Sequence, residues 1–110
     1  IRAPNRTLGV LQDIHWSFGA FGYFPTYTLG NLYSAQLLTA AKKDLPDYDE
    51  DIRTGNFTPL LEWMRRNVHS RGSIITPAEL VEEATGRPPS PNDFVEYLKQ
   101  KVEKLYNLAS

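Results

Sequence analysis

The segment Gly9–Trp16 reads G-V-L-Q-D-I-H-W and places an amide, a carboxylate, an imidazole and an indole within a few positions of one another. An Asp beside a His can orient the imidazole and favour its charged form, which suits a general base, an oxyanion donor or a metal ligand. In an extended segment Asp13 and His15 point to the same side, whereas in a helix Gln12 and Trp16 share a face instead. A structural hydrogen-bond network that fixes a buried turn is the alternative to these chemical roles.

Few other residues suit a metal site. The only other histidine is His69, cysteine is absent, and no His-x-x-x-His pair occurs. Because a catalytic zinc takes about three protein ligands, we do not expect His15 to bind a metal within this chain. His69 follows Arg65 and Arg66 near the end of a predicted helix, where a cationic side chain meets the negative end of the helix dipole. We therefore expect His69 to be a solvated capping residue.

Several other function classes are disfavoured by the sequence. Gly19 and Gly22 are flanked by aromatic residues and no Lys-Ser or Lys-Thr follows them, so they do not form a phosphate-binding loop. No serine lies in a nucleophile-elbow pattern. The aromatic residues could stack nucleic-acid bases, but stacking platforms come with a cationic groove, and the net charge here is −1. We expect neither nucleic acid nor a membrane as a partner, since no apolar run approaches the roughly 20 residues of a membrane helix.

The overall composition is that of a single globular domain. The chain has 110 residues, of which 41% are hydrophobic and 23% charged. The lack of cysteine excludes disulfides and suits a reducing cytoplasm, where we expect the protein to act. The first residues, I-R-A-P-N-R-T, have no signal-peptide layout and no initiator Met. The sequence is therefore expected to be a processed product or a piece of a longer protein.

The second half of the chain carries clear helix signals. Three starts are marked by Ser or Thr followed by a proline at the first helical position, where the missing N–H costs nothing: Thr58-Pro59, Thr76-Pro77 and Ser90-Pro91. Thr76 and Glu79 also predict a capping box. The first two helices are predicted to end at Gly72 and Gly86, and the third to run on to Leu105.

The middle of the chain predicts one more helix. Apolar residues and one amide recur there at helical spacing: Leu29, Leu32, Tyr33, Gln36, Leu37 and Ala40. This spacing predicts a helix over 28–43, which Pro46 prevents from continuing, and a polar, acidic loop over 44–51. Asp93 is expected to complement the dipole of the last helix. Since β-branched residues alternate only in brief stretches, the fold class is predicted to be all-α, with about four helices.

The first 27 residues differ from this helical part, 28–110. Gly9, Gly19, Gly22 and Pro25 interrupt any period, so an irregular segment is predicted. Seven aromatic residues are concentrated here and just beyond: Trp16, Phe18, Phe21, Tyr23, Phe24, Tyr27 and Tyr33. They either form a local core or pack against protein outside this chain, because a large apolar patch on a free domain is an interaction surface.

The Gly9–Trp16 segment fits the G-x-x-Q-D-x-H-W signature of the carboxypeptidase Taq family of metallocarboxypeptidases. The following run, F-G-Y-F-P-T-Y-T-L-G-N-L-Y-S-A-Q, also resembles that family's continuation. The resemblance covers the whole chain, which corresponds to about the last fifth of a family enzyme. It implies a C-terminal segment of a larger, mostly helical protein that forms homodimers and removes C-terminal amino acids from peptides.

The resemblance also implies a divalent metal, zinc or cobalt, held by a His-Glu-x-x-His helix and a downstream Glu. This chain contains no such motif. We therefore expect the metal ligands to lie in the remainder of the parent enzyme, and this piece to be inactive alone. The alternative is a structural or dimerisation module whose motif only braces the fold.

An exopeptidase must recognise a free carboxylate and a tetrahedral oxyanion, which requires hydrogen-bond donors on an enclosing wall. The resemblance implies that the motif supplies donors and that nearby phenols reach the substrate. The implied substrate-binding residues are Gln12, Asp13, His15 and Trp16. The implied catalytic residues are His15, Tyr23 and Tyr27, with Phe18 beside Trp16 in an apolar wall. No metal ligand is expected among them.

Overall fold

The computed structural model describes residues 2–9 and 12–108. Within these ranges it contains α-helices, one π-helical turn at Arg65–His69 and no strand. The α-helices are α1 Ile14–Ser17, α2 Pro25–Asp44, α3 Tyr48–Thr54, α4 Thr58–Met64, α5 Pro77–Thr85 and α6 Asn92–Tyr106. The all-α prediction is confirmed. Two compact units divide the chain, Ile1–Gly30 and Asn31–Ser110.

Helix α2 is longer than the predicted 28–43. It begins at Pro25, since proline is tolerated in the first turn, and continues to Asp44, two residues before Pro46. Lys42 and Lys43 lie in its last turn, where their positive charges stabilise the negative end of the helix dipole. The irregular N-terminal segment is therefore shorter than 1–27, and the last of its predicted residues already belong to α2.

The predicted capping box at the start of α5 is confirmed. The Glu79 backbone N–H donates to Thr76 Oγ1 (3.3 Å), and the Glu79 carboxylate accepts from the Thr76 backbone N–H (2.8 Å). Hydrogen bonds from the Thr76 hydroxyl (2.7 Å) and then from its backbone N–H hold the pKa of the Glu79 carboxyl below its ordinary value. Gly86 ends the helix in the left-handed region with φ 76°, which a residue without a Cβ adopts at little cost.

The prediction of a loop over 44–51 is wrong in its second half. Residues from Tyr48 onward form α3, which ends at a left-handed Gly55 with φ 78°. The acidic residues that suggested a loop occupy the first turn of this helix, where carboxylates stabilise the positive end of the dipole: Asp49, Glu50 and Asp51. Glu50 also accepts a hydrogen bond from Arg53 Nε (2.7 Å).

The helix predicted from Thr58 to Gly72 is not a single α-helix. After Met64 the pattern changes to a π-helical turn, in which the Ser70 backbone N–H donates to Arg65 O (2.9 Å). The turn ends at His69, which is exposed at its C-terminal end, as the sequence predicted. A π-turn widens the helix locally, and spacing analysis does not detect it because apolar residues still recur on one face.

The start of α6 differs from the predicted one. The helix begins at Asn92, and Ser90 contributes only a long contact from the Asn92 backbone N–H to Ser90 Oγ (3.3 Å). Asp93 lies in the first turn, as expected, but it also accepts two hydrogen bonds from Arg87 Nη2 (2.6 and 2.7 Å). Its side chain is only 7% exposed, and the Arg87 guanidinium holds the pKa of Asp93 below its ordinary value.

The second unit is centred on a small core. The side chains of three residues are almost completely buried, each with 1% exposure: Ala41, Trp63 and Val81. Trp63 Nε1 donates to Asp44 Oδ2 (2.8 Å), which satisfies the indole N–H. The fourth buried residue is Gln36, with 0% exposure, so one polar side chain lies among the apolar ones.

Gln36 joins α2 to the segment between α5 and α6. Its Oε1 accepts from the Ser90 backbone N–H (2.9 Å), and its Nε2 donates to Thr85 Oγ1 (3.0 Å). The same Nε2 also reaches the carbonyl oxygens of Arg87 and Pro88 (3.2 and 3.1 Å). Because every polar atom of a buried amide needs a partner, this residue fixes the path of the connection.

Part of the apolar surface of the second unit is open. A groove of about 540 Å³ runs between α2, α4 and α6, and Leu38, Leu60 and Phe94 line it. Leu98, Val102 and Leu105 on α6 are also exposed. None of the described helices combines the length and the apolar character needed to cross a membrane.

Candidate functional site

Asp13 caps the short helix α1, which carries His15. Its backbone is extended, with φ −91° and ψ 123°, and its Oδ1 accepts the backbone N–H of His15 (2.9 Å). This is an N-cap for the four-residue helix α1. Asp13 and His15 therefore lie on either side of a helix start, so neither the purely extended nor the purely helical interpretation of the motif holds.

The His15 imidazole has a partner at each nitrogen. Nδ1 lies 2.7 Å from Asp13 Oδ1, and Nε2 lies 3.0 Å from Tyr27 Oη. A carboxylate only accepts, so Nδ1 carries a hydrogen. In the neutral ring Nε2 is then the acceptor, and the Tyr27 hydroxyl donates to it. Asp13, His15 and Tyr27 form one continuous chain of hydrogen bonds.

Aromatic rings enclose the imidazole. Tyr23 stacks on it, with ring centroids 5.3 Å apart and an interplanar angle of 23°. Phe24 lies 4.9 Å from it, and Tyr27 meets it edge-on at 5.9 Å. The two phenols also contact each other, with centroids 5.4 Å apart. The ring is therefore held on its faces as well as at both nitrogens, so its orientation is well defined.

The loop between the motif and α2 brings these rings together. The Ala20 backbone N–H donates to His15 O (2.9 Å), and Gly19 and Gly22 adopt left-handed φ values of 69° and 79°. These conformations disfavour residues with a Cβ, so the glycines let the chain reverse. Tyr23, two residues before α2, and Tyr27, in its first turn, then both face the imidazole.

Trp16 lies on the apolar side of the cluster. Its ring is 5.4 Å from Phe24 and 5.8 Å from Phe21. Phe18, expected beside Trp16 in an apolar wall, is 78% exposed, and Phe21 is 75% exposed. Within the N-terminal unit, the aromatic residues thus form a local cluster that still leaves large apolar surfaces in solvent.

Asp13 and Tyr27 take opposite protonation states at neutral pH. Hydrogen bonds from the backbone N–H and then the ring of His15 lower the pKa of Asp13, which remains a carboxylate. Removal from water, followed by the neighbouring Tyr23 phenol, raises the pKa of Tyr27, which keeps its proton. The chain of hydrogen bonds therefore joins an anion at one end to a neutral hydroxyl at the other.

The cluster is open to solvent. The side chain of His15 is 24% exposed and that of Asp13 is 38% exposed. Tyr23 and Tyr27 are 47% and 51% exposed. The network suggested as a structural alternative exists, but its members are not sealed inside a core. A ligand can reach the phenols without any rearrangement of the buried residues.

The contacts of Gln12 and Phe24 are not predicted by the sequence. Gln12 is exposed, and its backbone N–H donates to Gly9 O (3.0 Å). The neighbouring Val10 and Leu11 lie outside the described residues. The sequence placed Phe24 among the concentrated aromatic residues but gave it no role at the site, although it contacts both His15 and Trp16. Its spacing of three residues from Tyr27, at the start of a helix, was the available signal.

The described residues do not fit a metal site. Within ranges 2–9 and 12–108, no three His, Cys, Asp or Glu side chains lie close enough together to hold a metal ion. Asp13 and His15 are both of types that ligate metals, but they are hydrogen-bonded to each other at 2.7 Å. Chemistry that needs a metal therefore requires ligands from elsewhere.

Comparison with known proteins gives a consistent family match. Residues 1–102 match the Carboxypeptidase Taq (M32) metallopeptidase family. Thermostable carboxypeptidase 1 of Thermus thermophilus is 48% identical over 98 residues, which are 89% of this chain and 19% of that protein. Thermostable carboxypeptidase 1 of Pyrococcus furiosus is 46% identical over 101 residues, or 92% of this chain and 20% of that protein.

Solved structures share the fold of the chain. The M32 carboxypeptidase from Deinococcus radiodurans superposes with a TM-score of 0.88 at 40% identity, over 98% of this chain and 22% of that one. A carboxypeptidase structure from Pyrococcus furiosus gives a TM-score of 0.83 at 46% identity, over 92% of this chain and 20% of that one. The chain thus spans about a fifth of the length of the relatives it matches.

Proposed function

The chain belongs to the carboxypeptidase Taq (M32) family of metallopeptidases, and we propose that it is the C-terminal part of a metal-dependent carboxypeptidase. The parent protein would hydrolyse C-terminal amino acids from peptides. This proposal is supported by identity of 40–48% to three carboxypeptidases of which the chain matches about a fifth. We further propose that it acts in the cytoplasm as a homodimer.

One observation supports a substrate-side role for this piece. Asp13, His15 and Tyr27 form a hydrogen-bonded chain that remains open to solvent. Such a chain can hold a hydrogen-bonding group in a fixed position beside a carboxylate or a developing oxyanion. We propose that Tyr23 and Tyr27 act there with His15, and that Gln12, Asp13 and Trp16 contribute to the same substrate-binding wall.

The metal is proposed to be zinc or cobalt, with ligands outside this chain. When bound, such an ion polarises a scissile carbonyl and activates water. The residues of this chain orient substrate and restrict water near it. The 110-residue piece alone is therefore proposed to be inactive.

The proposal is tested in the longer protein with His15→Ala. We expect a lower kcat/KM, by about 100-fold as for loss of one positioned hydrogen-bonding group, with the bound metal unchanged. The matched control is His69→Ala, because His69 is the only other histidine of the chain and lies exposed at the end of the π-helical turn. An unchanged kcat/KM for His15→Ala would remove this residue from the site.

A structural or dimerisation module is the second candidate. The exposed side chains of Phe18 and Phe21 favour it, because apolar surface of this kind is often covered by protein. In that case His15→Ala lowers the melting temperature but leaves the activity of the folded fraction intact. Measuring melting temperature and kcat/KM on the same samples separates the two candidates.

A further inference from the structure

The Tyr27 hydroxyl has a single hydrogen, and its direction follows from the contacts of the His15 ring. With Nδ1 of His15 committed to Asp13, the neutral ring offers Nε2 only as an acceptor, so Tyr27 donates to it across 3.0 Å. Both nitrogens are then occupied, and His15 has no free group to offer a ligand. The outward-facing member of this series of hydrogen bonds is the Tyr27 oxygen, which in this state can only accept a hydrogen bond from a ligand.

A second proton on the ring reverses this arrangement. Nε2 then carries a hydrogen and donates to Tyr27 Oη, because an imidazolium has two donors and no acceptor. The hydroxyl hydrogen of Tyr27 is released from His15 and can point outward. The same phenol therefore changes from an acceptor to a donor for a ligand, with no movement of heavy atoms.

An anionic ligand needs the donor form. A carboxylate or an oxyanion only accepts hydrogen bonds, so beside an accepting phenol oxygen it meets lone pairs instead of a hydrogen. We propose that His15 is a positioning residue whose protonation converts Tyr27 into a donor, so that binding of a peptide's terminal carboxylate at Tyr27 is coupled to uptake of one proton by His15. This deepens the proposed function and rests on it.

The surroundings of the ring support such coupling. Among the described residues, the titratable groups that contact His15 are Asp13 at Nδ1, Tyr27 at Nε2 and Tyr23 on its face. The Asp13 carboxylate compensates the positive charge of an imidazolium at 2.7 Å, and the two phenols are uncharged. Phe24, which also contacts the ring, carries no charge. Within residues 2–9 and 12–108, no Lys or Arg side chain is recorded against the ring to oppose the second proton.

The resting arrangement can be measured directly by ¹⁵N NMR of histidine-labelled protein. We expect His15 to show a protonated Nδ1 and an acceptor Nε2 when neutral. The His15 signals are those that are lost in His15→Gln and shifted in Tyr27→Phe, and this assignment also holds in the longer protein. In Tyr27→Phe, the Nε2 resonance should move towards that of a ring with no donor at this nitrogen. A neutral ring with its hydrogen on Nε2 would overturn the inference, whatever the activity of the protein.

The coupling is tested in the longer protein with hippurate, a small ligand that carries a free carboxylate. Above the pH at which NMR shows His15 to lose its second proton, we expect hippurate affinity to fall about tenfold per pH unit, as linkage to one proton requires. Saturating hippurate should correspondingly move the titration of His15 to higher pH, because linkage is reciprocal. A ring that stays neutral with hippurate bound would contradict the coupling.

Two variants provide the matched comparison. The amide of His15→Gln can donate to Tyr27 at every pH, so we expect its hippurate affinity to lose the pH dependence of the wild type. Tyr27→Phe removes the donor, so both the affinity and its pH dependence should fall. Persistence of the wild-type pH profile in His15→Gln contradicts the inference, and if this variant does not fold, the reciprocal NMR titration of the wild type decides.

Failure of the proposed function gives a different result. A longer protein that cleaves peptides, but binds hippurate without proton uptake by His15, contradicts the inference alone. A protein that neither cleaves peptides nor binds hippurate contradicts the proposed function, and the inference with it.

Discussion

Tyr27 Oη lies 3.0 Å from His15 Nε2, across 12 residues of sequence. This contact completes the series of hydrogen bonds that begins at Asp13. The phenol is on the first turn of α2, and the imidazole is on α1, which Asp13 caps. A capping carboxylate thus has a second task, because the same Oδ1 accepts from both the backbone and the ring of His15.

These two tasks of Asp13 can be separated by substitution. Asp13→Asn keeps the capping ability, because Asn and Asp are about equally good N-caps, whereas Asp13→Ala loses it. We expect Asp13→Asn to change the melting temperature little but to lower kcat/KM in the longer protein about 10-fold or more, since the anion that fixes the ring is gone. Thermal melts and steady-state kinetics on both variants check this.

The result that would contradict this separation is equal activity in the wild type and Asp13→Asn. In that case the carboxylate serves only as a cap. Asp13→Ala is the internal control, because it should lose activity and also lower the melting temperature through loss of the N-cap.

Gln36 is expected to be a major determinant of stability in the second unit. Gln36→Leu removes the partner of the part-buried Ser90 backbone N–H and of Thr85 Oγ1, so the free energy of unfolding should fall by about 2–4 kcal/mol. Urea unfolding followed by circular dichroism measures the change. Gln100→Leu is the matched control, because Gln100 is exposed on α6 and bonds only at the surface to Glu96. Equal effects of the two substitutions would show that the buried hydrogen bonds of Gln36 contribute no more to the free energy of unfolding than a surface bond does.

The Asp93–Arg87 ion pair should make stability depend on acid pH. The pKa of Asp93 is lowered in the folded protein by Arg87, so the folded state binds this proton less readily than the unfolded state. The stabilisation is therefore fully present above the ordinary pKa of an aspartate, and it is lost as pH falls through that value towards the lower folded one. Asp93→Asn should be less stable at pH 7 and should lose less on acidification.

The control for this pH effect is Asp49→Asn. Asp49 pairs with Lys42, but its side chain is 83% exposed, so the pair is screened by water and its loss should cost less than about 0.5 kcal/mol. Unfolding free energies between pH 7 and the acid transition test both variants. Identical pH profiles for wild type and Asp93→Asn would exclude the ion pair as the cause.

The exposed aromatic residues should promote self-association of the isolated 110-residue chain. With Phe18 78% and Phe21 75% exposed, we expect the 110-residue protein to self-associate or to bind the dye ANS. Phe18→Ser combined with Phe21→Ser should reduce both. Ile74→Ser is the control, because Ile74 is 87% exposed but lies outside the aromatic cluster. Monomeric behaviour in light scattering without dye binding would contradict an exposed interface.

The sequence determined those features that depend on neighbouring residues. The capping box of Thr76 and Glu79 and the end of α5 at Gly86 follow from short-range steric and hydrogen-bonding rules, and the structure agrees with them. The same rules predicted the existence of α2, but they began it at residue 28, whereas the helix begins at Pro25. The same local rules did not find α3, because acidic residues suit both a loop and the first turn of a helix. The G-x-x-Q-D-x-H-W pattern likewise indicated the family, since it specifies several chemically distinct residues at fixed spacing.

Only the tertiary structure decided which residues meet across the chain. Composition and spacing did not distinguish Tyr23 from Tyr27 as the partner of His15 Nε2, because both phenols follow the same glycine-containing reversal. Nor could periodicity tell that Gln36, one of several helical positions on a buried face, would find four partners in a distant segment. Such contacts depend on the three-dimensional path of the intervening residues, and local preferences restrict that path without fixing its direction.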